Sequence, residues 1–186
     1  MNTLNPEQGR LLLLLARQAI ASEFDEADAV LPHPAWLNQP GATFVTLTRA
    51  GELRGCIGSL EAQQALIDDV QSNARAAAFK DPRFPPLASN ELPDIHIEVS
   101  LLSPAQPMHF SSEADALAQL RPGRDGVILE HGWHRATFLP QVWQQLPEPR
   151  QFMANLKRKA GLAADFWADD LRLYRYQVEK FKEEAT

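Results

Sequence analysis

The chain of 186 residues carries 24 acidic and 18 basic side chains, a formal net charge of −6, with 45% apolar and 23% charged residues. Those are ordinary globular values, at a length that suits one domain with a substantial core. The acidic balance gives no general attraction to nucleic acid or to an anionic membrane, and no apolar run approaches the roughly 20 residues of a spanning helix. The leucine run at 11–15 is bracketed by Glu7, Arg10 and Arg17 and lacks a small-residue cleavage site, so it does not read as a signal peptide. The one cysteine, Cys56, excludes an internal disulfide and a cysteine-based zinc site, and it suits a reducing compartment. The expectation is a soluble, cytoplasmic protein. Local basic stretches such as Lys157, Arg158 and Lys159 could still hold one anion.

The chain order begins with a helix opened by Asn5 as N-cap, Pro6 in the first turn and Gln8 as capping-box partner, with Leu11, Leu12, Leu15, Ala19 and Ile20 on one face. Prolines 32, 34 and 40 with Gly41 then mark an extended loop. Residues 43–49 read as a strand, 50–52 as a hairpin turn and 53–60 as the return strand. Strict alternation on that second strand places Arg54, Cys56 and Gly58 on one face and Leu53, Gly55 and Ile57 on the other. Two glycines beside one thiol point to the close approach of another backbone or of a ligand.

An amphipathic helix follows over 63–79 with Asn73 at the border of its apolar stripe, then an extended proline-rich segment carrying Asp81 and Arg83. Residues 94–103 alternate cleanly: Ile95, Ile97, Val99 and Leu101 against His96, Glu98, Ser100 and Leu102. Further on come a short helix over 112–120 capped by Ser111 or Ser112, and a hairpin of strands 127–130 and 133–139. A helix starting at Pro140, a longer one from Pro149 closed by Gly161, and a final strand over 171–181 complete the chain. Hairpins without a βαβ rhythm predict an α+β fold, a mainly antiparallel sheet flanked by helices, as a single domain over 1–186.

Leu53-Arg54-Gly55-Cys56-Ile57-Gly58 resembles the signature hexapeptide of the AMMECR domain family, the family of the AmmeMemoRadiSam system. Matching stretches run in the family's order at 41–47, Asn73-Ala74, 81–84, 97–103, 136–143 and 159–162, so the resemblance covers nearly the whole chain and no family motif is missing. The resemblance implies an α+β unit of two unequal lobes with the signature strand at a cleft between them. By the family name it also implies association with a Memo-like, dioxygenase-family protein and a radical S-adenosylmethionine enzyme. It implies no particular reaction and no cofactor.

The chemistry is therefore read from residues. Cys56 is either a thiol activated by same-face Arg54 or a small hydrophobe on a central strand. His96, Glu98 and Ser100 form a polar row that completes a nucleophile–base–carboxylate arrangement if it faces Cys56, and is otherwise a solvated face. Asp81 and Arg83 are either a loop-locking ion pair or a grip in which the guanidinium takes a carboxylate or phosphate, with Asn73 bracing the loop. Lys159, at a helix C-terminus, is a further binding candidate or a plain surface lysine. His131 and His134 flank a turn, which would not bring both rings to one ion, and no P-loop or dinucleotide fingerprint is present. Two functions follow. In one, Arg54, Cys56 and Glu98 line a small-molecule or peptide site, with Gly55, Gly58 and Ser100 beside them. In the other, a non-catalytic adaptor packs its glycine-flanked strand against a second protein.

Overall fold

The structure is a computed structural model that describes residues 4–26 and 30–184. The first helix, α1 (Pro6–Ala21), begins as its sequence requires: the Asn5 side chain accepts from the Gln8 amide and the Gln8 side chain from the Asn5 amide, both at 2.9 Å. A short 3₁₀ turn, Ala35–Asn38, interrupts the proline-rich loop, which had been expected to carry no element. Strand β1 (Pro40–Arg49) starts earlier than the β-forming run alone suggests, because Pro40 and Gly41 pair with the two-residue β3 (Gln64–Ala65). Ala50 and Gly51 both adopt positive φ (51° and 82°), the two-residue hairpin turn that matches strand twist, and lead into β2 (Glu52–Gly58).

Helix α2 (Leu66–Phe79) and strand β4 (Ile95–Leu102) follow, with a 3₁₀ segment Ser89–Asp94 between them. The expected final strand is two. β8 (Arg172–Tyr176) and β9 (Val178–Lys182) are separated at Gln177 and belong to different sheets. Sheet one runs β2-β1-β4-β9 with β3 against β1, and its β1–β2 and β1–β4 pairings are antiparallel. Ile95, Ile97, Val99 and Leu101 of β4, with Val45 and Leu47 of β1, form the buried face under α1 and α2. On β9 the alternation continues: Phe181 packs at Gly9 of α1, while Lys180 and Lys182 take the opposite side.

The second sheet joins β5 (Gln106–Pro107), β8, β6 (Gly126–His131) and β7 (His134–Phe138) in the order β5-β8-β6-β7. Helices α3 (Glu113–Gln119) and α4 (Pro149–Lys159) accompany it, and Phe152 stacks on Trp143 in its core at 3.8 Å between centroids. Ser112, not Ser111, caps α3 by accepting from the Asp115 amide. Gly161 (φ 81°) ends α4, with its amide on Arg158 O and the Leu162 amide on Lys157 O. The fold is thus α+β, antiparallel and helix-flanked. By packing it divides into two compact units, Met1–Leu102 with Glu179–Thr186 and Ser103–Val178, each with its own hydrophobic cluster. Among the described residues no helix is long and apolar enough to cross a membrane.

Candidate functional site

The outer face of sheet one is assembled by register. Thr46 of β1 pairs with Cys56 on one side and with Glu98 on the other, and residues directly opposite across antiparallel strands share a face. Phe44 likewise joins Gly58 to Ser100. The polar faces of β2 and β4 therefore coincide, with Thr46 between the thiol and the carboxylate. The Thr46 hydroxyl donates to Cys56 Sγ at 3.3 Å, and Cys56 is neither sealed nor fully exposed. Glu98 sits two strands from Cys56, roughly 10 Å by strand spacing. His96 lies one row further along, opposite Thr48. Neither is brought to the sulfur as a base.

Arg54 turns elsewhere, and the reason is a break in the pleat. The β1–β2 register slips between Leu47 and Thr48, pairing Gly55 with Leu47 but Leu53 with Thr48, so Arg54 is the extra residue of a β-bulge. Such a residue has its side chain re-aimed. The Arg54 guanidinium clasps Glu91 through Nε (3.0 Å) and Nη2 (2.9 Å) and donates to the carbonyls of Pro85 (3.0 Å) and Pro86 (3.4 Å). The Glu91 carboxyl is lowered to about 2, chiefly by Arg54, with help from the Ala88 amide and Arg49.

The cation beside Cys56 is instead Arg83. Asp81, 4% exposed, accepts the Cys56 amide at 2.9 Å on Oδ2, and Arg83 Nη2 reaches the Cys56 carbonyl at 3.4 Å. The pair thus satisfies both backbone groups that Cys56 presents on the open edge of β2, as a neighbouring strand would. Asp81 binds the guanidinium in a fork, Oδ1 to Nε (2.9 Å) and Oδ2 to Nη2 (2.7 Å). That grip holds the Asp81 carboxyl far below its usual range against the opposing effect of burial. Arg83 is raised in turn by its hydrogen bond to Asp81, which outweighs the opposing effect of burial.

The glycines admit the chain's own elements. A Cβ on Gly55 would run into the Ala77 carbonyl oxygen of α2, and one on Gly58 would meet the Phe44 ring and Thr43 O. Asn73 is buried and donates to Thr43 O (3.0 Å), Ser59 Oγ (3.1 Å) and Asp69 Oδ2 (3.0 Å). Asp69, which sequence reasoning missed, is 1% exposed and also accepts the Thr43 amide and hydroxyl, both at 2.7 Å. Its signal was its place four residues before Asn73 on the helix. Ser100 is buried with its hydroxyl 3.5 Å from Glu98 Oε1. Burial pushes the Glu98 carboxyl up, but Lys182 (2.8 Å) and Lys180 (3.0 Å) outweigh it and hold the group below its ordinary value.

In the second unit the basic triplet is dispersed, since successive helical residues point about 100° apart. Lys157 is fully buried against Glu113 (2.6 Å) and the Trp167 ring, Arg158 turns to Asn155, and Lys159 donates to Thr137 O at 2.9 Å over the Phe138 ring. They do not form one anion site. His131 and His134 are register partners, but His131 pairs with Asp170 and His134 donates to Ala160 O. Among the described residues no group of three or more His, Cys, Asp or Glu is gathered as a metal would need.

A model of the AMMECR1 family matches residues 13–181 of the chain. A protein of Methanothermobacter thermautotrophicus is 41% identical over 187 residues, spanning 98% of this chain and 97% of its own. Protein MJ0810 of Methanocaldococcus jannaschii is 35% identical over 98% of this chain and 94% of its own. The crystal structure of uncharacterized protein PH0010 from Pyrococcus horikoshii superposes with a TM-score of 0.79 at 33% identity, covering 97% of this chain and 94% of that one.

Proposed function

The chain belongs to the AMMECR1 family, and from that premise we propose that the outer face of sheet one binds a small molecule or peptide at Cys56. In this reading the protein works in the cytoplasm with a Memo-like, dioxygenase-family protein and a radical S-adenosylmethionine enzyme. The observation that carries it is the row Cys56–Thr46–Glu98, in which a half-buried thiol accepts a hydroxyl hydrogen bond while a guanidinium donates to the same residue's backbone carbonyl. A sulfur used only as a small hydrophobe has no need of a hydroxyl donor at 3.3 Å. We read the face as one for binding before catalysis, because among the described residues the hydrogen-bond partner of the sulfur is the Thr46 hydroxyl and not a histidine or carboxylate. The adaptor reading rested on glycines that admit a second protein, and Ala77, Phe44 and Thr43 already occupy those places.

Native mass spectrometry of the chain isolated from its own cells tests the proposal. A bound small molecule or peptide retained by the unsubstituted chain and lost from Thr46→Val and Cys56→Ser supports it. Equal retention by both variants overturns it.

A further inference from the structure

We propose that Arg83 takes the carboxylate of the ligand that lies against Cys56, which rests on the reading above and narrows its ligand class to carboxylates. The starting point is a contrast between two arginines. Every guanidinium nitrogen of Arg54 has a partner in Glu91, Pro85 O or Pro86 O, and its side chain is only 12% exposed. That is an arginine used up in holding a loop. Arg83 spends Nε and Nη2 on Asp81 and Cys56 O and lies over the Phe84 ring, 5.5 Å from its centroid, and among the described residues Nη1 has no hydrogen-bond partner. Its side chain is 54% exposed.

What remains free is therefore one end of a planar cation whose other edge is already fixed. Asp81 Oδ1 also accepts the Arg83 backbone amide at 3.1 Å, and Pro82, Pro85 and Pro86 restrict the backbone around it. A side chain ordered before the ligand arrives loses little further entropy on binding, so the ligand's attraction is not spent on ordering it. Two N–H groups on Nη1 in a fixed plane suit a carboxylate oxygen better than a mobile lysine would. Asp81 offsets the charge of Arg83, and the other cations of the outer face, Lys180 and Lys182, stand on β9 beside Glu98.

The test uses two alkylating reagents of nearly equal size, iodoacetate and neutral iodoacetamide, in both of which the Cys56 thiolate displaces iodide. Cys56 is the one cysteine of the chain, so the mass increment reports it without ambiguity. The measured quantity is the ratio of the iodoacetate to the iodoacetamide rate, in the native chain and in the same chain unfolded in urea. The expected native ratio exceeds the unfolded one by about tenfold, the size of one charge-assisted hydrogen bond. Arg83→Gln returns it to the unfolded value, and Arg83→Lys recovers only part of it. Acetate or succinate protects against iodoacetate in the unsubstituted chain. Equal native and unfolded ratios with a reactive thiol overturn this proposal alone, and that comparison needs no variant. A thiol that neither reagent reaches in the native chain overturns the binding face as well. Protection by inorganic phosphate without protection by acetate or succinate overturns the carboxylate assignment.

Discussion

Replacing Asp81 with alanine removes the acceptor on which the edge of β2 closes. Four hydrogen bonds end on that carboxylate: the Cys56 amide at 2.9 Å, the Arg83 amide at 3.1 Å, and Arg83 Nε and Nη2 at 2.9 and 2.7 Å. Arg83 is more than half exposed, so solvent screens its share of the loss. The Cys56 amide loses its acceptor beneath the loop, which costs about 1–2 kcal/mol. The loss is about 1–2 kcal/mol, or a Tm lower by about 2–8 °C for a chain of this size. Urea unfolding followed by circular dichroism measures it, and hydrogen exchange of the Cys56 amide localises it. The pH dependence provides a second check. Because the folded carboxyl lies below its unfolded value, its contribution is complete above about pH 4 and fades as pH falls toward the folded value. The difference between the two proteins is therefore flat from pH 5 to 8. A loss under about 0.5 kcal/mol, or unchanged exchange at Cys56, refutes the edge-clamp reasoning.

Three further outcomes follow from contacts described above. Gly55→Ala places a methyl group against the Ala77 carbonyl, a backbone atom that cannot step aside, and costs about 2–3 kcal/mol by thermal denaturation. Glu113→Ala strands the buried Lys157 ammonium and destabilises by about 3 kcal/mol, whereas Lys157→Met stays within about 1 kcal/mol of the unsubstituted chain in urea titrations. Glu91, lowered to about 2 from an ordinary 4.5, stabilises fully above pH 4.5 and progressively less as pH falls to 2. The stability gap to Glu91→Gln should close over that window, and a constant gap contradicts the Arg54 clasp.

Local chemistry was legible and its interruptions were not. The capping box of α1, the alternation of β4 and the Gly161 stop of α4 depend on neighbours in sequence, and each stands where its residues place it. Arg54 and Cys56 were read as same-face neighbours because alternation assumes an unbroken pleat. The bulge that parts them depends on the partner strand, which a single segment does not encode. Residues 171–181 read as one strand for the same reason, since no glycine or proline marks Gln177 and only the pairing of each half divides them. Arg83 and Asp81 were visible as a pair, but their hold on the Cys56 backbone spans 25 residues or more of sequence. Lys157 was hidden in a basic triplet, although its place four residues after Met153 sets it on the buried stripe of α4.

The most direct test of the binding face is the rate at which neutral iodoacetamide alkylates Cys56 at pH 7 in the native chain, relative to the chain unfolded in urea. A half-buried thiol that accepts from Thr46, with Arg83 on its residue's carbonyl, should react at least as fast folded as unfolded. A native rate lower by about a hundredfold, the mark of a sulfur reached only by unfolding, would contradict the account.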